Sequence, residues 1–139
     1  MFRKILVLIL EKQLAQNTIK LLKELAQTRS SKIYINSVIE SSIIEGLAQT
    51  TGKRKQIIQD DQKGKRWYEA YTIEELFKEA GLFINLGVTE ISGDPDLVAL
   101  VNKSQCDLLV FCEPDEREMQ RIQHLVFQVK TPILIIPRQ

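Results

Sequence analysis

Gly93-Asp94-Pro95-Asp96-Leu97-Val98, then Cys106-Asp107-Leu108-Leu109-Val110-Phe111-Cys112, then Thr131-Pro132-Ile133-Leu134-Ile135-Ile136-Pro137: these three stretches set the class of fold. Asp94-Pro95 reads as a side-chain N-cap followed by proline at the first helical position, where its missing N–H costs nothing. The helix so opened buries Leu97, Val98, Leu100 and Val101. The two apolar runs that follow are short and lack period-two alternation, as expected of strands covered on both faces. Between them, Pro114 to Val129 reads as a helix with Met119, Ile122, Leu125, Val126 and Val129 inward. Strands separated by helices of this length form parallel βαβ units with right-handed crossovers.

The same grammar extends upstream. Ile5 to Leu10 and Ile33 to Ile39 read as two further buried strands, and the helix between them carries Ala15, Ile19, Leu22 and Ala26 on one stripe, ending near Arg29. A second helix is expected from about Trp67, carrying Tyr71, Ile73, Leu76, Phe77, Ala80, Phe83 and Ile84, with Gly87 as its stop. Val88 to Ile91 then forms a short, half-polar edge strand. Residues 1–139 are read as a single domain of α/β class, with helices on both faces of a parallel sheet.

Composition narrows the function. A net charge of +1, with 27% charged and 44% apolar residues, gives no global attraction to nucleic acid or membrane. The apolar run at Ile5 is too short to span a bilayer and lacks a cleavage site, so a cytoplasmic protein is expected. Cys106 and Cys112 flank one strand, about 20 Å apart, beyond disulfide reach. With one histidine and no Cys-x-x-Cys, no metal site is expected. His124 has no nucleophile at triad spacing and is read as a surface or boundary histidine; no catalytic residue and no enzymatic activity are expected.

The order Gly-Asp-Pro, helix, Asp-Leu-Leu-Val strand, helix, Pro-Ile-Leu-Ile-Ile strand closely resembles the universal stress protein family. The resemblance implies a five-stranded parallel doubly wound sheet of order 3-2-1-4-5, of the adenine nucleotide alpha hydrolase-like kind. In nucleotide-binding members the fourth strand is followed by Gly-x-x-Gly-x9-Gly-Ser/Thr, whose glycines let backbone N–H groups approach the phosphates of ATP. Here that stretch reads Cys112-Glu113-Pro114-Asp115-Glu116-Arg117-Glu118, and no glycine follows Gly93. A motif starting at Cys112 would end at Val126, leaving five positions before Pro132 for a helix end and a turn. The aspartate that touches nucleotide after the first strand in such relatives is replaced by Leu10-Glu11-Lys12-Gln13. Val38 matches a position that lines the adenine pocket.

In an open parallel sheet a ligand cleft lies where strand order reverses, at the carboxyl ends of the strands. The candidate cleft is therefore Leu10, Glu11, Val38, Cys112 and Glu113, degenerate for ATP, with no cofactor expected. Lys53, Arg54, Lys55, Lys63, Lys65 and Arg66 form a basic segment between the second strand and second helix, read as a solvated loop or an anion-binding element. The resemblance further implies a homodimer through Ile133, Leu134, Ile135 and Ile136 at the sheet edge. The expected function is a non-ATP-binding, dimeric regulatory or protein-interaction module in the stress response, its protein partner unidentified. The alternative is a nucleotide or second-messenger sensor in which the basic loop covers the cleft and supplies the phosphate contacts.

Overall fold

A computed structural model describes residues 2–10, 12–29 and 31–138. Its elements run β1 (Lys4–Leu10), α1 (Gln16–Arg29), β2 (Lys32–Glu40), α2 (Ser41–Thr51), α3 (Lys55–Glu79), β3 (Ile84–Ile91), α4 (Asp94–Ser104), β4 (Leu108–Cys112), α5 (Glu116–Val126) and β5 (Ile133–Ile136). The five strands form one parallel sheet in the order β3-β2-β1-β4-β5. That is the order implied by the family resemblance.

Alternate residues of the central strands feed two cores. Ile5, Val7 and Ile9 of β1 join Val110 of β4 under Ile19 and Leu22 of α1 and Ile73 and Phe77 of α3. Leu6 and Leu8 join Leu109 and Phe111 under Leu97 and Val101 of α4 and Ile122 and Leu125 of α5. The middle of β1 and all of β4 are buried, which is why these strands carry apolar residues on both faces. Asp107 pins their starts together: its carboxylate accepts from the backbone N–H of Arg3 at 2.8 Å and of Lys4 at 3.0 Å. These two hydrogen bonds hold the Asp107 carboxyl below its ordinary range.

Several boundaries depart from the sequence expectation. The helix expected from Trp67 begins at Lys55, so most of the basic segment is helical rather than a loop. Helix α2, unforeseen, precedes it and ends at Gly52, whose φ of 71° provides the left-handed turn. The two helices are held by a third small core, in which Ile44 and Ile58 meet Ile39 and are flanked by Leu47, Ala48 and Val88. The stop expected at Gly87 lies at Gly81, with φ of 75°, where Leu82 N–H closes on the Phe77 carbonyl at 2.9 Å. Phe83 and Ile84 are therefore not helical, and β3 is twice the expected length. Gly87 sits inside β3 opposite Asn36, where a Cβ would lie only 3.0 Å from Asn36 Nδ2. The glycine makes room for that amide.

The cap of α4 also shifts by one residue. Gly93 occupies the N-cap position and Asp94 the first turn, and no side chain caps the helix. Asp115 caps α5, accepting from Glu118 N–H at 2.8 Å, and Val126 at its end is exposed rather than inward. Cys106 and Cys112 are buried free thiols. Burial, reinforced by the charge of Glu113, pushes the Cys112 thiol up to about 12, so it is no nucleophile near neutral pH.

Phe77 is fully buried between α3 and the sheet. Phe77→Ala is expected to lower stability by about 3–5 kcal/mol in urea unfolding followed by circular dichroism. A loss below about 1 kcal/mol would contradict its place in the core.

Candidate functional site

The reversal of strand order between β1 and β4 leaves a cleft at the carboxyl ends of the strands, with a volume of about 390 Å³. Leu10 from β1, Val38 from β2 and Ile43 from α2 give it an apolar side. Glu40 ends β2 and Asp94 starts α4, so both carboxylates reach it from one flank. Asp115, Arg117, Glu118, Arg121 and His124 reach it from the start and exposed face of α5.

Ion pairs knit these elements together. Arg121 pairs with Glu40 and donates through Nε to Asp94 at 2.7 Å, joining α5 to β2 and α4. Burial works against its charge, but the hydrogen bonds to Asp94 and Glu40 outweigh that cost and raise its pKa above the ordinary value. Arg117, one turn earlier and largely in solvent, stands 3.7 Å from Glu40. Deeper in, Lys12 Nζ donates to the Glu113 carbonyl at 2.6 Å and to both carboxylate oxygens of Glu118 at 2.7 Å. Asp115 lies below its ordinary range because its carboxylate accepts from Glu118 N–H.

Of the residues expected here, Leu10 and Val38 line the cleft. Glu11 lies outside the described residues. Cys112 and Glu113 do not line it, which corrects the expected cleft. Cys112 ends β4 facing the α1 side of the sheet. Glu113 adopts a φ of 51° and turns its buried side chain under the β1–α1 connection, where it accepts from Ala15 N–H at 2.8 Å.

None of the six cations of the basic segment lines the cleft. Lys55 lies 3.4 Å from Glu45 and Arg66 lies 3.3 Å from Glu69. Both contacts are local to the α2–α3 pair. In β5, Ile133 and Ile135 pack toward the α4 and α5 side and Ile136 is buried, so Leu134 is the most exposed of the four edge residues.

The sequence alone does not place Glu40, Asp94, Arg117 and Arg121 in the cleft, and it puts His124 at the surface without the cleft beside it. The available signal was the spacing of Arg117, Arg121 and His124, which puts them on one helical face beside the Ile122 and Leu125 stripe. Among the described residues no group of three or more His, Cys, Asp or Glu is placed to hold a metal ion. No described helix is long and apolar enough to cross a membrane.

A family-level comparison matches residues 1–136 to the universal stress protein family. No curated protein matches the chain. Among solved structures, a universal stress family protein from Burkholderia pseudomallei aligns with a TM-score of 0.74 at 17% identity, covering 96% of this chain and 95% of that one. A universal stress protein in complex with cAMP aligns at 0.66 and 15% identity, covering 99% of both chains. The universal stress protein from Archaeoglobus fulgidus in complex with dAMP aligns at 0.60 and 11% identity, covering 98% of both. At these identities the likeness is one of fold.

Arg121→Ala leaves Glu40 and Asp94 facing each other, half-buried, without their shared cation. Stability is expected to fall by about 2 kcal/mol in urea unfolding at neutral pH. Unchanged stability would show that the pairs are no better than exposed ones.

Proposed function

Because the chain belongs to the universal stress protein family, we propose that it is a stress-response protein acting as a non-enzymatic, dimeric interaction module that does not bind ATP. One observation carries this reading. The cleft is lined by four carboxylates, Glu40, Asp94, Asp115 and Glu118, against two guanidinium groups, Arg117 and Arg121. Arg121 is committed to Glu40 and Asp94, and nearby Lys12 is committed to Glu118. Four carboxylates against three cations leave net negative charge where a triphosphate would enter, and each of the three cations already stands beside a carboxylate. At about 4 Å each like-charge contact costs about 1–4 kcal/mol, depending on exposure.

Dimerisation is proposed through β5. The strand hydrogen-bonds to β4 on one side only and presents Leu134, 39% exposed, along a free backbone edge. A two-fold axis beside it pairs the strand with its own copy. Pro132 and Pro137 limit that pairing to four residues.

A second reading, a sensor of a small adenine nucleotide, is favoured by the cAMP and dAMP bound by two structural relatives and by the apolar side made of Leu10, Val38 and Ile43. It no longer draws on the basic segment, whose helix lies away from the cleft.

Calorimetry separates the two readings. No binding of Mg-ATP tighter than about 10 μM is expected, a constant worth roughly 7 kcal/mol. Saturable binding of cAMP without ATP would favour the sensor, and micromolar ATP binding would overturn both the charge argument and the proposal. Sedimentation equilibrium at tens of micromolar is expected to show a wild-type dimer and a folded, monomeric Leu134→Lys variant. A monomeric wild type, or a variant that dimerises equally well, would remove β5 as the interface. Leu134 serves better than Ile135, which contributes to the core of its own chain.

A further inference from the structure

On the α4 face of the sheet, about 13 Å from the cleft towards the start of the strands, lies a second cavity of about 290 Å³. It is built from a place where the sheet is not covered by large side chains. Tyr34 faces Asn85 and Asn36 faces Gly87 across β2 and β3, so this flank of the face offers two amides and a glycine where the central strands carry Leu and Phe. Leu6 and Leu100 supply apolar surface, and Lys4 and Lys103 stand at the rim. Its size falls at the small end of the range for ligand pockets.

Its electrostatics are the reverse of the cleft's. Two lysines line it and no acidic residue does. Neither lysine has an ion-pair partner among the described residues. Lys4 Nζ is held 4.3 Å above the Tyr34 ring, a cation–π contact that keeps the ammonium at the cavity without neutralising it. Lys103 lies in the last turn of α4. The Asn36 Oδ1 atom is buried and has no hydrogen-bond donor among the described residues. A buried acceptor left unpaired is costly, and a bound donor relieves that cost.

We infer that this cavity is a binding site for a small organic anion that also carries an N–H or O–H donor: its carboxylate or phosphate pairs with Lys4 and Lys103, its body packs on Leu6 and Leu100, and the Asn36 amide, whose terminal torsion turns at little cost, rotates to present its unpartnered Oδ1 to the donor. Gly87 permits this arrangement, since a side chain there would press on Asn36 and displace the acceptor. The site is independent of the cleft and of the dimer edge, so it stands or falls apart from the proposed function.

The test uses 4-aminobenzoate as probe in an amide and side-chain NH2 NMR titration of the ¹⁵N-labelled full chain. Expected are saturable shifts centred on Asn36, Asn85 and Gly87, with residues 115–124 of the cleft unmoved. Benzoate, which lacks the donor, is expected to bind at least fivefold more weakly. Aniline, which lacks the anion, is expected to bind at least tenfold more weakly. Lys103→Glu, a change at an exposed helix end, is expected to weaken 4-aminobenzoate at least tenfold while leaving the unfolding midpoint within a few degrees of wild type. Absence of saturable shifts up to 10 mM probe, affinity for benzoate or for aniline equal to that for 4-aminobenzoate, or affinity unaffected by Lys103→Glu would each overturn the site. The ligand comparison needs no substitution, so it decides the matter even if the variant is unstable.

Discussion

Strand β1 is hydrogen-bonded to β2 on one side and to β4 on the other, and both of its faces are buried. Every layer is set by this placement. Odd-numbered residues from Ile5 to Ile9 require cover from α1 and α3, while Leu6 and Leu8 require it from α4 and α5. The chain leaves β1 for β2 in one direction and returns to β4 in the other, so the connections at its carboxyl end part and open the cleft. Burial of a single strand on both faces thus fixes the layering and the position of the functional end together.

The parts readable from sequence are those where one local rule acts alone. Five-residue apolar runs such as Leu108 to Cys112 are too short for a helix and fit a doubly covered strand, and Asp94-Pro95 marks a helix start. The errors arose where two rules competed. Gly81 reads as a weak point inside the helix and Gly87 as its stop, and only the passage of Asn36 over Gly87 shows that the second glycine serves sheet packing. Residues 53–66 read as a charged segment because the apolar content of the α2–α3 pair is concentrated in a few positions. Ile44 and Ile58 find their partners in Ile39 and Val88, residues on strands that sequence periodicity does not bring near.

The cleft illustrates the same limit in electrostatic terms. Its apolar members, Leu10 and Val38, follow from strand ends and were expected. Its charged members come from three elements, and the pairing of Arg121 with both Glu40 and Asp94 depends on how α5 lies against β2 and α4. Glu113, adjacent in sequence to the expected site, is taken out of it by a single left-handed residue conformation. Proximity along the chain identified the right end of the sheet but not which side chains face the solvent-filled space.

The Asp107 clamp joins residues 103 and 104 positions apart, at the seam between β1 and β4. During synthesis at about 5–20 residues per second, the emerging chain holds β1 without its second neighbour for some 5–20 seconds. Until Leu108 to Cys112 leaves the ribosome, the strand destined for the centre of the sheet is an exposed edge, apolar from Ile5 to Leu10, the kind of segment that templates pairing with other chains. The nascent polypeptide is therefore most vulnerable to aggregation in a defined window of its translation, and slowing of elongation before residue 108 would lengthen that window in direct proportion.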